Sequence, residues 1–325
     1  MSEKAKVPKS TVQQLINFEL VADRAPQPFL RWAGGKRRLT SLLIDSFPTN
    51  FDPLQNIFYE PFVGGGALTF ATGNPSSDFF IPGKNIVIND SNPDLITTYK
   101  VIQNDVNKLI ESLKGKSTKK SQKHFEAMKN YTPENDIEVA SRFIYLNKTC
   151  FNGLWRVNSK GQFNVPWGKL KKPQILNAEN LVACHFRLRK AKIKCGDFEN
   201  AVARAKAGDL VYFDPPYIPL SSSSSFSQYS KENFGLKEHE NLAKLIEQLT
   251  KKGVYVIMSN SDTPMTRDIF EKVLTLRQIS MTRSISAASS SRIQVNEILG
   301  ANFKLNERAL IGKLTLISKI RKELR

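Results

Sequence analysis

Four consecutive residues, Asp214-Pro215-Pro216-Tyr217, set a carboxylate, two imino acids and a phenol directly after the apolar run Leu210–Phe213. Two prolines remove two backbone donors and fix φ, so the loop is stiff and its carbonyls stay available as acceptors. A carboxylate (Asp214) and a backbone carbonyl (Pro215), each accepting one N–H, suit an exocyclic aromatic amine. Such an amine is a poor nucleophile because its lone pair is delocalised into the ring, and two acceptors draw density back onto the nitrogen. Tyr217 offers a face on which a base can stack, a contact worth about 1–3 kcal/mol. A turn closing a strand over a buried aromatic would use similar residues, but the full tetrapeptide at a strand end is far more specific than a lone Asp-Pro pair.

Two upstream segments have the composition of a nucleotide site. In Tyr59-Glu60-Pro61-Phe62-Val63-Gly64-Gly65-Gly66 an apolar strand turns into Ala67-Leu68-Thr69-Phe70. Glycines at such a turn let a ligand approach the backbone at the carboxyl ends of strands, although a tight turn needing φ > 0 would require them equally. Asp90 ends the next strand, where an acidic side chain can take ribose hydroxyls. It could instead cap a helix in Asp90-Ser91-Asn92-Pro93. Farther upstream, Phe29-Leu30-Arg31-Trp32-Ala33-Gly34-Gly35-Lys36 could close over a planar cofactor with Lys36 reaching a carboxylate, or could be a helix-initiating turn with a packed Trp. Gly34-Gly35-Lys36 is followed by Arg37, so the phosphate-cradling Gly-x-x-x-x-Gly-Lys-Ser/Thr pattern is absent and ATP hydrolysis is disfavoured.

Bulk composition agrees with a polyanionic partner. The 325 residues carry 48 Lys+Arg against 30 Asp+Glu, a formal charge of +18, which points first to nucleic acid and second to an anionic membrane surface. Three cysteines and three histidines are too few for a disulfide framework or a Cys/His zinc cluster, so no metal is expected. Cys150, Cys184 and Cys195 read as core filler, and His124, His185 and His239 receive no catalytic role. MSEKAKVPKSTVQQL has no apolar core of a leader, and no run approaches a membrane span, so a cytoplasmic protein without membrane attachment is expected.

The elements that must position these residues alternate between short β-branched runs and helical patterns, the signature of an α/β chain with a mainly parallel sheet. Strands are expected at Asn56–Glu60, Asn85–Asn89, Ala191–Cys195, Asp209–Phe213 and Gly253–Ser259, and near Leu274–Met281. Between the second and third, Lys100 to Lys194 holds 20 basic and 7 acidic residues, or +13 of the +18. This localised charge marks a separate, largely helical insertion, residues 97–190, with a turn-rich ribbon at Cys150–Gly168. It divides a catalytic domain at 29–96 and 191–301, flanked by a weakly structured extension (1–28) and a basic tail (302–325). Lys114–Lys123 could track phosphates or be a solvated loop, and the polyserine run Ser221–Phe226 a flexible linker or a loop over a bound base.

Segments Trp32–Lys36, Glu60–Gly66 and Asp214–Tyr217, in this order, resemble the Dam-like family of DNA adenine-N6 methyltransferases, with the motif order called alpha. The resemblance spans about Phe29 to Ala301, taking in Ile144–Lys169, Pro219–Asp262 and Arg283–Leu299. It implies an α/β fold with a Rossmann-like methyltransferase sheet and an inserted, mostly helical target-recognition domain carrying a β-hairpin. It implies S-adenosylmethionine as cofactor, held by Trp32, Lys36, Glu60, Phe62, Gly64, Gly66, Asp90, Asp197 and Asp214. Asp214, Pro215, Pro216 and Tyr217 would take a flipped adenine. Asn147–Asn158 looks like the family's duplex-entering hairpin. There Phe151 and Leu154 can wedge or stack, Asn152 can fill the space of an extruded base, and Arg156 has the fork for guanine O6/N7. A hairpin with Phe and Trp in a small core would look alike. Pro166 and Lys169 form a second contact surface, and Arg31, Arg283 and Ser284 complete the expected DNA contacts. The implied activity is methylation of adenine N6 in double-stranded DNA within GATC, by a monomer or weak dimer, beside a restriction endonuclease or alone. Methylation of RNA adenine or of protein glutamine, or DNA binding without chemistry, are the alternatives.

Overall fold

A computed structural model describes residues 24–32, 36, 39–74, 79–118, 121–218, 234–284 and 292–305, with side chains left out at 280–284 and 292–295. In chain order its elements are α1 (Thr40–Asp45), β1 (Phe58–Glu60), α2 (Ala67–Ala71), β2 (Ile86–Asp90), α3 (Pro93–Ser117), α4 (Gln122–Asn130), α5 (Asp136–Thr149), α6 (Ala178–Leu188), β3 (Lys192–Cys195), α7 (Phe198–Val202), β4 (Leu210–Phe213), α8 (Leu236–Lys251), β5 (Tyr255–Ser261), α9 (Pro264–Phe270), β6 (Thr275–Ser284) and β7 (Arg292–Ala301). The chain divides into two compact units, one of Met1–Thr40, Val63–Lys84 and Asn92–Cys195, the other of Ser41–Phe62, Asn85–Ser91 and Gly196–Arg325.

The second unit holds six strands in the order β2-β1-β4-β5-β7-β6, and with β3 the sheet counts seven. The pairs β1–β2, β1–β4 and β4–β5 are parallel, whereas β7 runs antiparallel to both β5 and β6. Strands β1 and β4 are buried at every position. That is why both read as near-continuous apolar runs: a parallel strand is covered on both faces and gains from apolar side chains on each. The expected strands all form, with ends that differ by at most three residues. Strand β7 was not expected, because Glu297 interrupts the apolar alternation of Ile293, Val295 and Leu299. Below the sheet, α8 turns Leu242, Ile246 and Leu249 into a core with Phe198, Phe213, Val256, Met258 and Phe270. Their spacing of three and four residues is the stripe of an amphipathic helix, and His239 extends the same stripe by one turn.

In the first unit α3 packs against α5 and α6. Side chains of Asn92, Ser121, Asn135 and Asn177 accept from the free amides of the first turns of α3, α4, α5 and α6, so each helix starts at a polar cap. Asn92 holds this role at α3, not Asp90. On α6 the buried Arg187 donates from Nε to the Thr69 carbonyl at 2.8 Å and from Nη2 to Thr72 Oγ1 at 2.8 Å, and from Nη1 to the Ile81 carbonyl. It thereby fastens the chain that follows the glycine turn. Cys150 and Cys184 are buried as expected, but Cys195 is exposed at the end of β3 and is no core filler. No helix among the described residues is long and apolar enough to cross a membrane. Nor is there among them a group of His, Cys, Asp and Glu that could hold a metal ion.

Candidate active site

The carboxyl ends of three neighbouring parallel strands each carry an acid. Glu60 ends β1, Asp90 ends β2, and Asp214 follows β4. Glu60 stands opposite Ile88 of β2, and Tyr59 opposite Val211 of β4, so Asp90 and Asp214 both project two residues beyond Glu60, roughly 6–7 Å at strand rise. The chain leaves β1 for β2 on one side and reaches β4 on the other. Such a reversal of strand order opens a crevice at the carboxyl edge of an open α/β sheet, and ligands bind there.

Around Asp214 the corner is held from three elements. Ser259 of β5 donates to Asp214 Oδ1 at 2.7 Å, and the buried Tyr212 hydroxyl lies 2.8 Å from Ser259 Oγ. A serine has one proton and a carboxylate only accepts, so Ser259 spends its proton on Asp214 and Tyr212 must donate to Ser259. Burial first, and then the Asp214 charge, push the Tyr212 phenol well above its ordinary pKa, so it keeps the proton that this chain requires. The Pro216 carbonyl lies 3.1 Å from His239 Nε2 on α8. Tyr217 donates its hydroxyl to the buried Glu297 of β7 at 3.0 Å, and Ser261 donates to the Ile218 carbonyl at 2.8 Å. Among the described residues the Pro215 carbonyl takes no hydrogen bond.

Other expected cofactor residues of the second unit have mixed surroundings. Phe62 is half-buried and stacks on Phe198 at 5.3 Å, with Phe234 edge-on at 5.4 Å. Asp197 caps α7, accepting from the Glu199 amide at 2.8 Å. Asn89, beside Asp90, donates to the carbonyls of Pro61 and Gly196, tying the turns after β1 and β3 to the end of β2.

In the first unit Trp32 lies over the glycine turn. Gly64 and Gly66 have φ of +47° and +69°. A Cβ on Gly64 would stand 2.6 Å from the Trp32 indole nitrogen, and one on Gly66 2.5 Å from the Tyr99 hydroxyl. Backbone conformation and protein packing therefore already require both glycines. Tyr99 donates to the Gly64 carbonyl at 3.0 Å, which fixes the turn from α3. Lys36 is buried, and its carbonyl accepts from the Leu39 amide just before α1.

The expected DNA residues of this unit form an aromatic-backed ribbon. Bridges join Cys150 to Trp167 and Val157 to Phe163. Trp32, Phe143, Trp155 and Phe163 stack in a file with centroid separations of 6.2, 3.8 and 4.7 Å. The small aromatic core is thus real, yet it leaves Phe151 50% exposed, Leu154 37% and Val157 47%, three large apolar side chains within seven residues. Asn152 adopts φ 53° and Lys169 φ 52°, a region costly for most L-residues. Arg156 donates from Nε to Asn164 at 2.8 Å, and Pro166 gives its carbonyl to the Phe151 amide. Asn147, which sequence reasoning passed over, accepts from the Arg31 amide and donates to the carbonyls of Arg31 and Gly153, so it roots the ribbon on the segment before Trp32. Lys148 next to it is half-buried, and desolvation with the Arg31 charge pushes its ammonium down to about 8. Arg283 and Ser284 lie on β6, and Gly34, Gly35 and Ser221–Phe226 lie outside the described residues.

Comparison with known proteins falls on the same segments. Residues 32–285 match the family model described as D12 class N6 adenine-specific DNA methyltransferase. The chain is 37% identical over 285 residues to the type II methyltransferase M1.LlaDCHI of Lactococcus lactis subsp. cremoris, across 85% of this chain and 95% of the relative. It is 40% identical over 249 residues to the type II methyltransferase M.MjaIII of Methanocaldococcus jannaschii, across 72% and 84%. With the DNA adenine methylase of Escherichia coli strain K12 it shares 32% identity over 277 residues, across 83% and 93%.

Proposed function

The chain belongs to the D12 class of N6 adenine-specific DNA methyltransferases, and we propose that it methylates the N6 amine of an adenine flipped out of duplex DNA, using S-adenosylmethionine. The observation that carries this reading is the division of hydrogen bonds in the Asp214–Tyr217 corner. Ser259 of β5 holds the Asp214 carboxylate, His239 of α8 faces the Pro216 carbonyl and Glu297 of β7 holds the Tyr217 hydroxyl, while the Pro215 carbonyl, beside Asp214, takes no hydrogen bond among the described residues. Asp214 accepts one amine N–H and Pro215 the other, which aims the nitrogen lone pair. Tyr217, its phenol tied to Glu297, stacks on the ring. Asp214 acts as an orienting acceptor, since an ordinary Asp is a weak base with a pKa near 3.9.

The donor fits the acid-lined edge of the sheet. Asn92, not Asp90, caps α3, and Asp90 suits the ribose hydroxyls, with Glu60, Phe62 and Asp197 at or just beyond strand ends in the same unit; Trp32, Lys36, Gly64 and Gly66 are the cofactor residues proposed in the first unit. S-adenosylmethionine supplies an electrophilic methyl group on a sulfonium. The chain's own part is to hold the amine, exclude water and accept hydrogen bonds from N6.

Residues 97–190 act as the target-recognition domain within the reading that divides the catalytic domain at 29–96 and 191–301. Exposed Phe151 and Leu154 wedge into the duplex while Asn152, Arg156 and Pro166 meet bases, and Arg31, Lys169, Arg283 and Ser284 hold phosphates. GATC is the target site and the cytoplasm the setting. The test is to incubate the protein with labelled donor and plasmid DNA and to map the modified bases. New methyl groups on adenine N6 within GATC are expected, and label on any other atom overturns the reading. Asp214→Ala should abolish transfer while duplex binding persists, and wild-type turnover by that variant refutes its role.

A further inference from the structure

His239 is 2% exposed and sits on the buried stripe of α8, edge-on to Phe234 at 4.8 Å and to Phe270 at 6.3 Å. A histidine in so apolar a setting normally serves one hydrogen-bond partner. This one faces two carbonyls, Gly235 at 2.8 Å from Nδ1 and Pro216 at 3.1 Å from Nε2. A neutral imidazole has a single N–H for the two. The oxygens are not equivalent. Gly235 already accepts the backbone amide of His239 at 3.2 Å, whereas Pro216 has no other donor among the described residues. A proton on Nε2 therefore leaves neither carbonyl without a donor, at the cost of setting the Nδ1 lone pair against the Gly235 oxygen, whereas a proton on Nδ1 strands Pro216. Burial pushes the ring below the ordinary histidine pKa, more than the two carbonyls and Glu238 raise it, which keeps the neutral form in the neutral pH range.

We propose that His239 is a positioning residue of the methyl-transfer reaction, which holds the Pro216 carbonyl through Nε2–H and so fixes the direction of the Pro215 carbonyl. The proline rings make this coupling tight. φ is locked at both Pro215 and Pro216, and a residue before proline is confined to extended ψ. With Ser259 holding Asp214 on one side and His239 holding Pro216 on the other, the peptide between them has little freedom left. The proposal rests on the reading that Asp214 and Pro215 take the adenine amine.

Two substitutions in the full-length protein separate the two ring nitrogens. In His239→Gln the side-chain amide lies about where Nε2 was, and in His239→Asn about where Nδ1 was. With duplex DNA and labelled donor, the Gln variant should keep kcat within about threefold of wild type, and the Asn variant should lose about tenfold, the value of one buried hydrogen bond. KM for DNA should stay within about twofold in both, because the loss falls on alignment and not on duplex binding. An Asn variant with wild-type kcat, or Gln and Asn variants equally impaired, overturns the proposal. Nitrogen-15 NMR of the ring in the unsubstituted protein gives a check independent of variant folding: Nε2–H is expected, and Nδ1–H at pH 7.5 refutes the assignment. Asp214→Ala tells the two failures apart. If it retains turnover, the reading of the corner falls; if it abolishes turnover while the Asn variant is unimpaired, only the role of His239 does.

Discussion

Removing the hydroxyl of Ser259 isolates what orientation contributes to Asp214. The bond is 2.7 Å long and ends on a carboxylate, and hydrogen bonds to charged groups are worth about 1.5–3 kcal/mol. If that is fully expressed when the amine is aligned, Ser259→Ala lowers kcat roughly 10- to 100-fold. Stability suffers separately. The Tyr212 hydroxyl, in a residue 1% exposed, loses the acceptor on which its proton rests, at about 1–3 kcal/mol for a stranded buried donor. Tyr212→Phe together with Ser259→Ala removes both partners. It should recover most of the melting temperature and none of the turnover, because Asp214 still lacks the Ser259 donor. Single-turnover rates on a duplex substrate, read beside thermal melts, resolve the two effects. Turnover of Ser259→Ala within twofold of wild type, or recovery of activity in the double variant, refutes the claim that this chain of hydroxyls aims the carboxylate.

Gly64→Ala meets both a positive φ and the Trp32 indole, 2.6 Å from the new Cβ. It should cost about 1–3 kcal/mol of stability in a denaturant titration, and a neutral result contradicts the packing described for the turn. Lys148 titrates near 8 in the folded protein against an ordinary value of 10.5. The unfolded chain therefore holds the extra proton between those values, and stability rises as pH climbs from about 8 toward 10.5. Lys148→Met should raise stability at pH 7 by on the order of 2 kcal/mol and flatten that rise. Melts at pH 7 and pH 9.5 with an unchanged difference overturn the assignment. Phe151→Ser exposes no core and should leave stability within about 0.5 kcal/mol, while activity on duplex DNA falls more than activity on single-stranded DNA; equal loss on both contradicts a duplex-entering role.

The acidic corner was legible as a candidate because all four residues are adjacent in sequence and their types limit what they can bind. Its supports were not. Ser259, Glu297 and His239 stand 45, 80 and 23 residues from their partners, and strand pairing and helix packing bring them there. A signal for one of them existed. The strand that opens Val254-Tyr255-Val256-Ile257-Met258 continues as Ser259-Asn260-Ser261 and stays buried. Polar residues prolonging an apolar parallel strand at its carboxyl end need partners there, and that end is where α/β sheets keep their sites. His239 looked like a member of an amphipathic stripe, which it is, and only the two carbonyls facing it separate it from a core histidine. Strand β7 escaped because Glu297 breaks its alternation, and the break is the residue that ties Tyr217.

The glycine turn teaches the opposite caution. Gly64 and Gly66 matched a nucleotide-binding pattern, yet positive φ and the nearness of Trp32 and Tyr99 already account for them. Their presence in sequence thus carries information about the turn before it carries any about a ligand. The acids at the strand ends are different. Glu60 and Asp90 end neighbouring strands, Asp214 follows a third, and each has partners, as a carboxylate near a buried strand end needs, since burying one costs several kcal/mol in effective terms unless it is paired or hydrogen-bonded. Three acids gathered at the carboxyl edge of a sheet otherwise filled with Val, Ile, Leu and Phe are the feature on which the proposed binding edge rests.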